Sequence, residues 1–131
     1  MLKELEYWNH NTAYYKWIKK QLKQSNRILD IGCGDGLLIR YLDDGSKFLV
    51  GIDSDKFCIE KAKERNSSSS CSFFCCSYED FNYEESFDAI VFVASIHHMN
   101  MLHSIKKAKS MLSKNGVLII VGLAKPSKLQ R

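Results

Sequence analysis

Five short segments of this chain are apolar at nearly every position, and helical patterns separate them along the sequence. The segments lie at residues 27–31, 47–52, 72–76, 88–94 and 117–123. A strand that is apolar on both faces is typical of a parallel sheet covered by helices on both sides. The alternation therefore predicts a doubly wound α/β fold, in which ligands bind at the carboxyl ends of the strands.

Helices are expected between these strands, and the chain has the size of one domain. Apolar residues recur at helical spacing within residues 11–23, 35–44, 55–66 and 101–112. The 131 residues suffice for a single core. No stretch has the length of a membrane span or the pattern of a secretory signal, which favours a cytoplasmic protein that does not bind membranes.

The cysteines and the net charge exclude several classes of protein. The chain has five cysteines, an odd number, with no Cys-x-x-Cys pair. This usage argues against a disulfide framework and a zinc site, so no metal is predicted. The formal charge of +4 is mild, and the lysines of the first helix are expected to form a solvated face rather than a nucleic-acid contact.

A glycine-rich loop, Gly32-Cys33-Gly34-Asp35-Gly36, follows the first predicted strand. Glycine permits positive φ and lets the backbone approach a ligand closely. The dinucleotide fingerprint requires Gly-x-Gly-x-x-Gly, whereas the third glycine here comes one residue early. A Walker phosphate loop is excluded because no Gly-Lys-Ser/Thr follows. The loop is thus a ligand site in which Cys33 counts as a small residue rather than a redox centre.

Asp53 ends the second predicted strand, about twenty residues after the loop begins. A carboxylate at that position can accept hydrogen bonds from both ribose hydroxyls of an adenosine-bearing ligand. The alternative role, capping the helix at 55–66, is better filled by Ser54 or Asp55. Asp53 is therefore predicted to bind a ligand.

Four motifs in order give the chain a family resemblance. They read ILDIGCGDG, VGIDSD, FDAIVFVASIHHM and LSKNGVLIIV. Together they resemble the class I S-adenosylmethionine-dependent methyltransferases that act on small molecules. The resemblance covers about residues 25–122 and implies a Rossmann-like sheet with strand order 3-2-1-4-5. It also implies a helical lid at 1–24, a core at 25–123 and a polar tail at 124–131.

The resemblance implies a role for residues at the end of each strand. The methionine part of S-adenosylmethionine would be surrounded by Asp30, Gly32, Cys33 and Gly34, and the ribose would be held by Asp53 with Ser54. The adenine would lie against Ser77 and Tyr78. Many family members carry Asp where Ser77 stands, so the Ser77 hydroxyl or the Tyr78 backbone would serve instead.

The segment after the fourth strand would face the reacting atoms. The resemblance places Ala94 beside the cofactor and makes His97 and His98 candidate general bases, because histidine titrates near neutral pH. In the family this histidine pair is more often structural. The lid would contribute Trp8, His10, Tyr14 and Tyr15 to the pocket, with Tyr14 the preferred contact, unless these residues only pack on the sheet.

A small-molecule acceptor is favoured, with RNA as the second choice, and S-adenosylhomocysteine would be the product. The sequence lacks both an Asn/Asp-Pro-Pro-Tyr motif and a Pro-Cys nucleophile, which argues against DNA-methylating enzymes. Two alternatives stay open. One is a truncated or non-catalytic module that binds S-adenosylmethionine, and the other, less favoured, is an NAD-dependent oxidoreductase.

The chain departs from the family after the fifth strand. Only nine residues follow Gly122, so the family's hairpin of strands six and seven is expected to be absent. An unpaired fifth strand would leave an open sheet edge. We therefore predict a homodimer formed through that edge.

Overall fold

Five parallel strands form one sheet in the computed structural model, which describes residues 14–93 and 100–121. The strands are β1 (Arg27–Ile31), β2 (Phe48–Asp53), β3 (Cys71–Cys75), β4 (Phe87–Val93) and β5 (Leu112–Val121). Their order is β3-β2-β1-β4-β5, and every neighbouring pair is parallel. The doubly wound arrangement predicted from the sequence is confirmed.

The described helices occupy the predicted segments. They are α1 (14–21), α2 (Leu37–Leu42), α3 (Lys56–Arg65) and α4 (Met101–Met111). The predictions for Trp8, His10, Ala94, His97, His98 and the tail at 124–131 lie outside the described residues.

Apolar side chains cover both faces of the sheet. On one face, Ile28 of β1 belongs to a cluster with residues of α1, α2 and α3, among them Ile18, Ile39 and Ile59. On the other face, Leu29 belongs to a cluster with α4 and with the β3–β4 connection. Burying one such side chain contributes about 1.5–3 kcal/mol. These two layers hold the five strands in one sheet. The carboxyl ends of the parallel strands therefore lie along one edge of the sheet, which we call the rim.

The fifth strand begins earlier than the sequence predicts. The strand was expected over residues 117–123, but β5 begins at Leu112 and carries the Lys-Asn-Gly segment as an irregularity. Leu112 pairs with Phe87, and the next register pair is Val117 with Ala89. Asn115 has φ 68°, a conformation that Asn tolerates better than most residues. The Lys-Asn-Gly segment thus forms a bulge inside the strand.

Two charged side chains tie chain segments together at the amino ends of the strands. Asp88 accepts hydrogen bonds from the amides of Asn26 and Arg27 at 3.0 and 2.9 Å. The buried ammonium group of Lys47 donates to the carbonyl oxygens of Leu22 and Ser25 at 3.1 and 2.6 Å. These contacts join α1 and β1 to the sheet on the side opposite the glycine loop.

Neither a membrane span nor a metal centre is found in the described part of the chain. None of its helices is both long enough and apolar enough to cross a bilayer. No group of three His, Cys, Asp or Glu side chains there is arranged to hold a metal ion. The polar groups of chemical interest lie instead at the carboxyl ends of β1 and β2.

Candidate functional site

The loop after β1 folds back against β2. The amides of Gly32 and Cys33 both donate to the carbonyl oxygen of Ile52 at 2.9 Å. Gly32, Gly34 and Gly36 have φ values of 76°, 57° and 83°, which lie in the left-handed region that glycine adopts most readily. The glycine spacing therefore produces a tight loop whose backbone lies at the rim of the sheet.

Close packing makes two glycines necessary. A Cβ at Gly36 would lie 2.6 Å from Nδ2 of Asn66 and 3.2 Å from the ring of Phe73. A Cβ at Gly51, in the middle of β2, would lie 2.9 Å from Sγ of Cys33. The space above Gly51 is thus filled by the side chains of Ile39 and Cys33.

Asp53 holds the glycine loop to the end of β2. Its Oδ2 accepts the Gly34 amide at 2.9 Å, and its Oδ1 accepts the Asp55 amide at 2.9 Å. Each carboxylate oxygen has a further lone pair for a ligand. Asp55 caps α3 by accepting from the amides of Phe57 and Cys58 at 2.9 and 3.4 Å. The expectation that Ser54 or Asp55 fills the capping role is therefore confirmed for Asp55.

Asp30 is a buried carboxyl group beside Asp53. Its exposed fraction is 3%. Burial, and secondly the charge of Asp53, raise the pKa of Asp30 to about 8. Desolvation next to a second carboxylate thus favours the neutral form of this carboxyl group.

Cys33 lies close to both carboxyl groups and is unreactive as a nucleophile. Burial, and then the charges of Asp30 and Asp53, raise the pKa of the Cys33 thiol. A thiolate is the reactive form of cysteine, and it is suppressed here. The structure thus makes Cys33 a neutral packing residue whose backbone shapes the loop.

The chain after β3 returns to the same rim. The Cys76 amide donates to the Asp53 carbonyl oxygen at 3.1 Å, and the Cys75 thiol contacts the Ser54 carbonyl oxygen at 3.6 Å. Oγ of Ser77 accepts the Asp80 amide at 3.2 Å. The start of the β3–β4 connection therefore lies beside Asp53 and Ser54.

Tyr78 has its side chain in the core rather than at the rim. Its hydroxyl donates to the Ser104 carbonyl oxygen at 2.7 Å, and its ring meets Phe92 edge-on with centroids 5.4 Å apart. Burial, and secondly the charge of Glu79, raise the pKa of Tyr78 to about 12. Any contact of Tyr78 with a ligand is thus restricted to its backbone.

Two arginines support the glycine loop from outside, a feature that sequence reasoning missed. Nη1 of Arg40 donates to the Asp35 carbonyl oxygen at 3.0 Å, and Arg65 at the end of α3 forms an ion pair with the Asp35 carboxylate. No sequence signal links positions 35 and 65, because the contact depends on how α3 packs. Tyr14, at the start of the described part of α1, packs against the core cluster on that face of the sheet.

The rim has a distinct charge character. Asp30 and Asp53 are carboxyl groups on neighbouring strands, and the backbone of the glycine loop lies next to them. Carboxyl groups in such surroundings attract a cation and repel an anion. The arrangement suits a ligand with positive charge and hydroxyl groups, and it does not suit a pyrophosphate.

The family model and the curated relatives that match this chain are all methyltransferases. A family model for the methyltransferase domain matches residues 28–116. The ubiquinone biosynthesis O-methyltransferase of Pelagibacter ubique (strain HTCC1062) is 33% identical over 105 residues, which are 78% of this chain and 44% of that protein. The ribosomal protein L11 methyltransferase of Aquifex aeolicus (strain VF5) is 32% identical over 117 residues, with 88% and 46% covered. The chain spans less than half the length of these two relatives.

Solved structures share the fold. The plantazolicin methyltransferase BpumL, in complex with a triazolic desmethylPZN analog and SAH, superposes with a TM-score of 0.74 at 28% identity, over 91% of this chain and 46% of that one. The N-methyltransferase NodS from Bradyrhizobium japonicum WM9 gives a TM-score of 0.70 at 25% identity, with 88% and 71% covered.

Proposed function

This chain belongs to the methyltransferase-domain family, within the class I S-adenosylmethionine-dependent methyltransferases, and we propose that it binds S-adenosylmethionine at the glycine loop. We further propose that it transfers the methyl group to a small-molecule acceptor. The observation that carries the proposal is the pair of carboxyl groups, Asp30 and Asp53, on either side of the folded glycine loop.

The residues present fit this methyl donor. S-adenosylmethionine has a sulfonium and an ammonium group, and the Asp30 and Asp53 carboxyl groups complement positive charge. The two Asp53 oxygens each retain a lone pair for the ribose hydroxyls. The third glycine of the loop comes one residue too early for the pyrophosphate of NAD, which disfavours the oxidoreductase alternative.

Each residue of the proposed site has one task. Gly32, Cys33 and Gly34 offer their backbone to the methionine part, while Asp53 and Ser54 hold the ribose. The Ser77 hydroxyl and the Tyr78 backbone lie next to them and would bind the adenine, since the Tyr78 side chain is in the core. We also propose that Ala94 and Tyr14 contact the methyl donor. In this scheme residues 1–24 form the lid, 25–123 the core and 124–131 a polar tail.

Positioning is the main chemical contribution of the chain. When bound, S-adenosylmethionine supplies an electrophilic methyl group, which an acceptor atom takes in an in-line displacement that leaves S-adenosylhomocysteine. The rim residues fix the position of the donor, and orientation of two reactants contributes up to about 7–11 kcal/mol to lowering a barrier. His97 or His98 would remove a proton from the acceptor where one must be lost.

The start of α4 supports an apolar small molecule as acceptor. Met101 and Leu102, directly after the segment at 94–99, are 53% and 73% exposed. No acidic residue stands in the first turn of α4, so this turn offers no carboxylate to a basic polypeptide. The net charge of +4 is mild and does not favour a nucleic-acid acceptor, which a strongly basic surface would attract. A protein acceptor is the second candidate, because one relative is a ribosomal protein L11 methyltransferase.

Transfer of a labelled methyl group tests the acceptor class. The intact protein is incubated with methyl-labelled S-adenosylmethionine in three separate mixtures. The first contains a panel of apolar phenols and amines, the second a basic polypeptide and the third an RNA. We expect label in small molecules only. Label in the polypeptide alone would replace the proposed acceptor class, and donor binding without any transfer would favour a non-catalytic module.

Self-association and location complete the proposal. Among the described residues β5 pairs with β4 alone, and its Val117 and Ile120 are partly exposed, as expected for an edge that can pair with a second copy. Sedimentation at high micromolar concentration should show a dimer, and a monomer would contradict this.

We place the protein in the cytoplasm, where the five free cysteines stay reduced.

A further inference from the structure

The ammonium group of Lys107 on α4 binds the main chain of the turn that follows β3. Its Nζ donates to the carbonyl oxygen of Tyr78 at 2.6 Å and to that of Glu79 at 3.0 Å. Neither ion pair of the described chain involves Lys107. The charge of this partly buried side chain is therefore directed at two neighbouring carbonyl groups, and a charged donor forms stronger hydrogen bonds than a neutral one.

A second contact joins the same turn to α4. The Tyr78 hydroxyl donates to the Ser104 carbonyl oxygen at 2.7 Å. Ser104 stands three residues before Lys107, which places both residues on one face of the helix. The Lys107 ammonium group also lies 5.0 Å from the centre of the Tyr78 ring, within the range of a cation–π contact. Thus α4 holds Tyr78 both at its side chain and at its main chain.

Lys107 also orients the peptide group that contacts the Ser77 hydroxyl. The C=O and N–H bonds of a trans peptide point in opposite directions, so the peptide between Glu79 and Asp80 has its oxygen toward Lys107 and its amide on the other side. That amide, of Asp80, donates to Oγ of Ser77 at 3.2 Å. It occupies one lone pair of the hydroxyl, which also has a proton to donate and a second lone pair.

We propose that Lys107 is a positioning residue for the adenine of the methyl donor, because it holds the Ser77 hydroxyl and the Tyr78 backbone in the orientation that binds the base. The inference rests on the proposed binding of S-adenosylmethionine at the rim. Lys107 acts through the turn and does not touch the ligand. A site that reads a base by hydrogen bonds rejects analogues whose donors and acceptors differ. Loss of Lys107 should therefore lower the selectivity for adenine.

Two ligands that differ only in the purine base measure this selectivity. S-inosylhomocysteine has an oxygen in place of the exocyclic amino group of S-adenosylhomocysteine and a proton on the neighbouring ring nitrogen. Both ligands are titrated calorimetrically into the intact wild-type protein, into Lys107→Met and into Lys106→Met. Met keeps an unbranched side chain but has no donor. Lys106→Met is the control, since it removes an exposed ammonium group from the same helix.

We expect the wild type and Lys106→Met to prefer S-adenosylhomocysteine. In Lys107→Met the ratio of the two dissociation constants should fall about 3- to 10-fold, the factor that one hydrogen bond contributes. A general loss of packing would weaken both ligands equally and leave the ratio unchanged. Should Lys107→Met not fold, the ratio is measured in Lys107→Gln, which replaces the cation by a neutral donor on a shorter side chain, and it should fall there too.

The outcomes separate this inference from the proposed function. An equal ratio in the wild type and the Lys107 variant, or a wild type that binds both ligands equally well, would overturn the role of Lys107 while leaving donor binding intact. Absence of S-adenosylhomocysteine binding to the wild type would instead overturn the proposed function.

Discussion

The backbone amide of Gly34 donates a hydrogen bond of 2.9 Å to Oδ2 of Asp53, a residue nineteen positions later on the neighbouring strand. The carboxylate that we propose as the ribose ligand therefore also holds the glycine loop. Its second oxygen accepts the Asp55 amide, which joins the site to the cap of α3. The proposed binding of the ribose and the folding of the loop would thus depend on the same side chain.

Replacing Asp53 by Asn should weaken S-adenosylhomocysteine binding about 10- to 100-fold, because each hydrogen bond to a charged group contributes about 1.5–3 kcal/mol. The Asn oxygen can accept only part of the bonds that the carboxylate accepts. Calorimetric titration measures the change, with Glu84→Gln as the control that removes a distant carboxylate. An unchanged affinity in Asp53→Asn would take this residue out of the ligand site.

Gly36 should be less tolerant of substitution than Gly45. Both have positive φ, 83° and 86°, so Ala at either position costs about 1–2 kcal/mol of backbone strain. A Cβ at Gly36 would also lie 2.6 Å from Asn66 Nδ2, whereas nothing lies within 4 Å at Gly45. Urea unfolding should show a clearly greater loss of stability for Gly36→Ala. Equal losses would contradict the packing described for the loop.

Asp88→Asn should lower the free energy of unfolding by about 1–3 kcal/mol, since two amides lose a charged acceptor. Partial burial acts to raise the pKa of Asp88, but hydrogen bonds from Arg27 and Asn26 outweigh it and hold the pKa below its usual range. The stabilisation is thus present above the pKa of the unfolded chain and is lost as pH falls through the lower folded value. Urea unfolding at pH 7 and pH 3 should show a smaller difference between variant and wild type at pH 3 than at pH 7.

Asp30→Asn should make the free protein more stable at neutral pH, on the order of 2–4 kcal/mol. The folded pKa of about 8 lies above the ordinary 3.8, so the favourable contribution of the protonated form is complete below pH 4 and is lost as pH rises through 8. Unfolding of the wild type should become easier across this window, and that of the variant should not. A lower stability of Asp30→Asn at pH 8 would contradict the raised pKa of this buried carboxyl group.

The parallel sheet and the glycine loop could be predicted from the sequence, because apolar periodicity and glycine spacing are local signals, and the strand order followed from the family resemblance. The role of Asp53 as a holder of the loop could not, since it depends on the left-handed conformation of Gly34. Tyr78 was assigned to the site from its place after β3, but the turn there directs its ring into the core. The pKa of Asp30 follows from burial and from Asp53, which only the folded sheet brings together.

The ion pair of Arg65 with Asp35 and the bulge at Asn115 had no recognisable sequence signal either. In both cases the sequence gives the residue type but not its partner. Lys-Asn-Gly is a good turn segment, and the pairing of Leu112 with Phe87 places it inside β5 instead. Contacts that depend on packing between elements account for the remaining differences.

The central claim is that the glycine loop and the carboxyl pair bind S-adenosylmethionine rather than a dinucleotide. Side-by-side calorimetric titrations of the intact protein with S-adenosylhomocysteine and with NAD test it most directly. We predict saturable binding of one S-adenosylhomocysteine per chain and no binding of NAD at the same concentrations. Saturable NAD binding together with no heat from S-adenosylhomocysteine would contradict the claim.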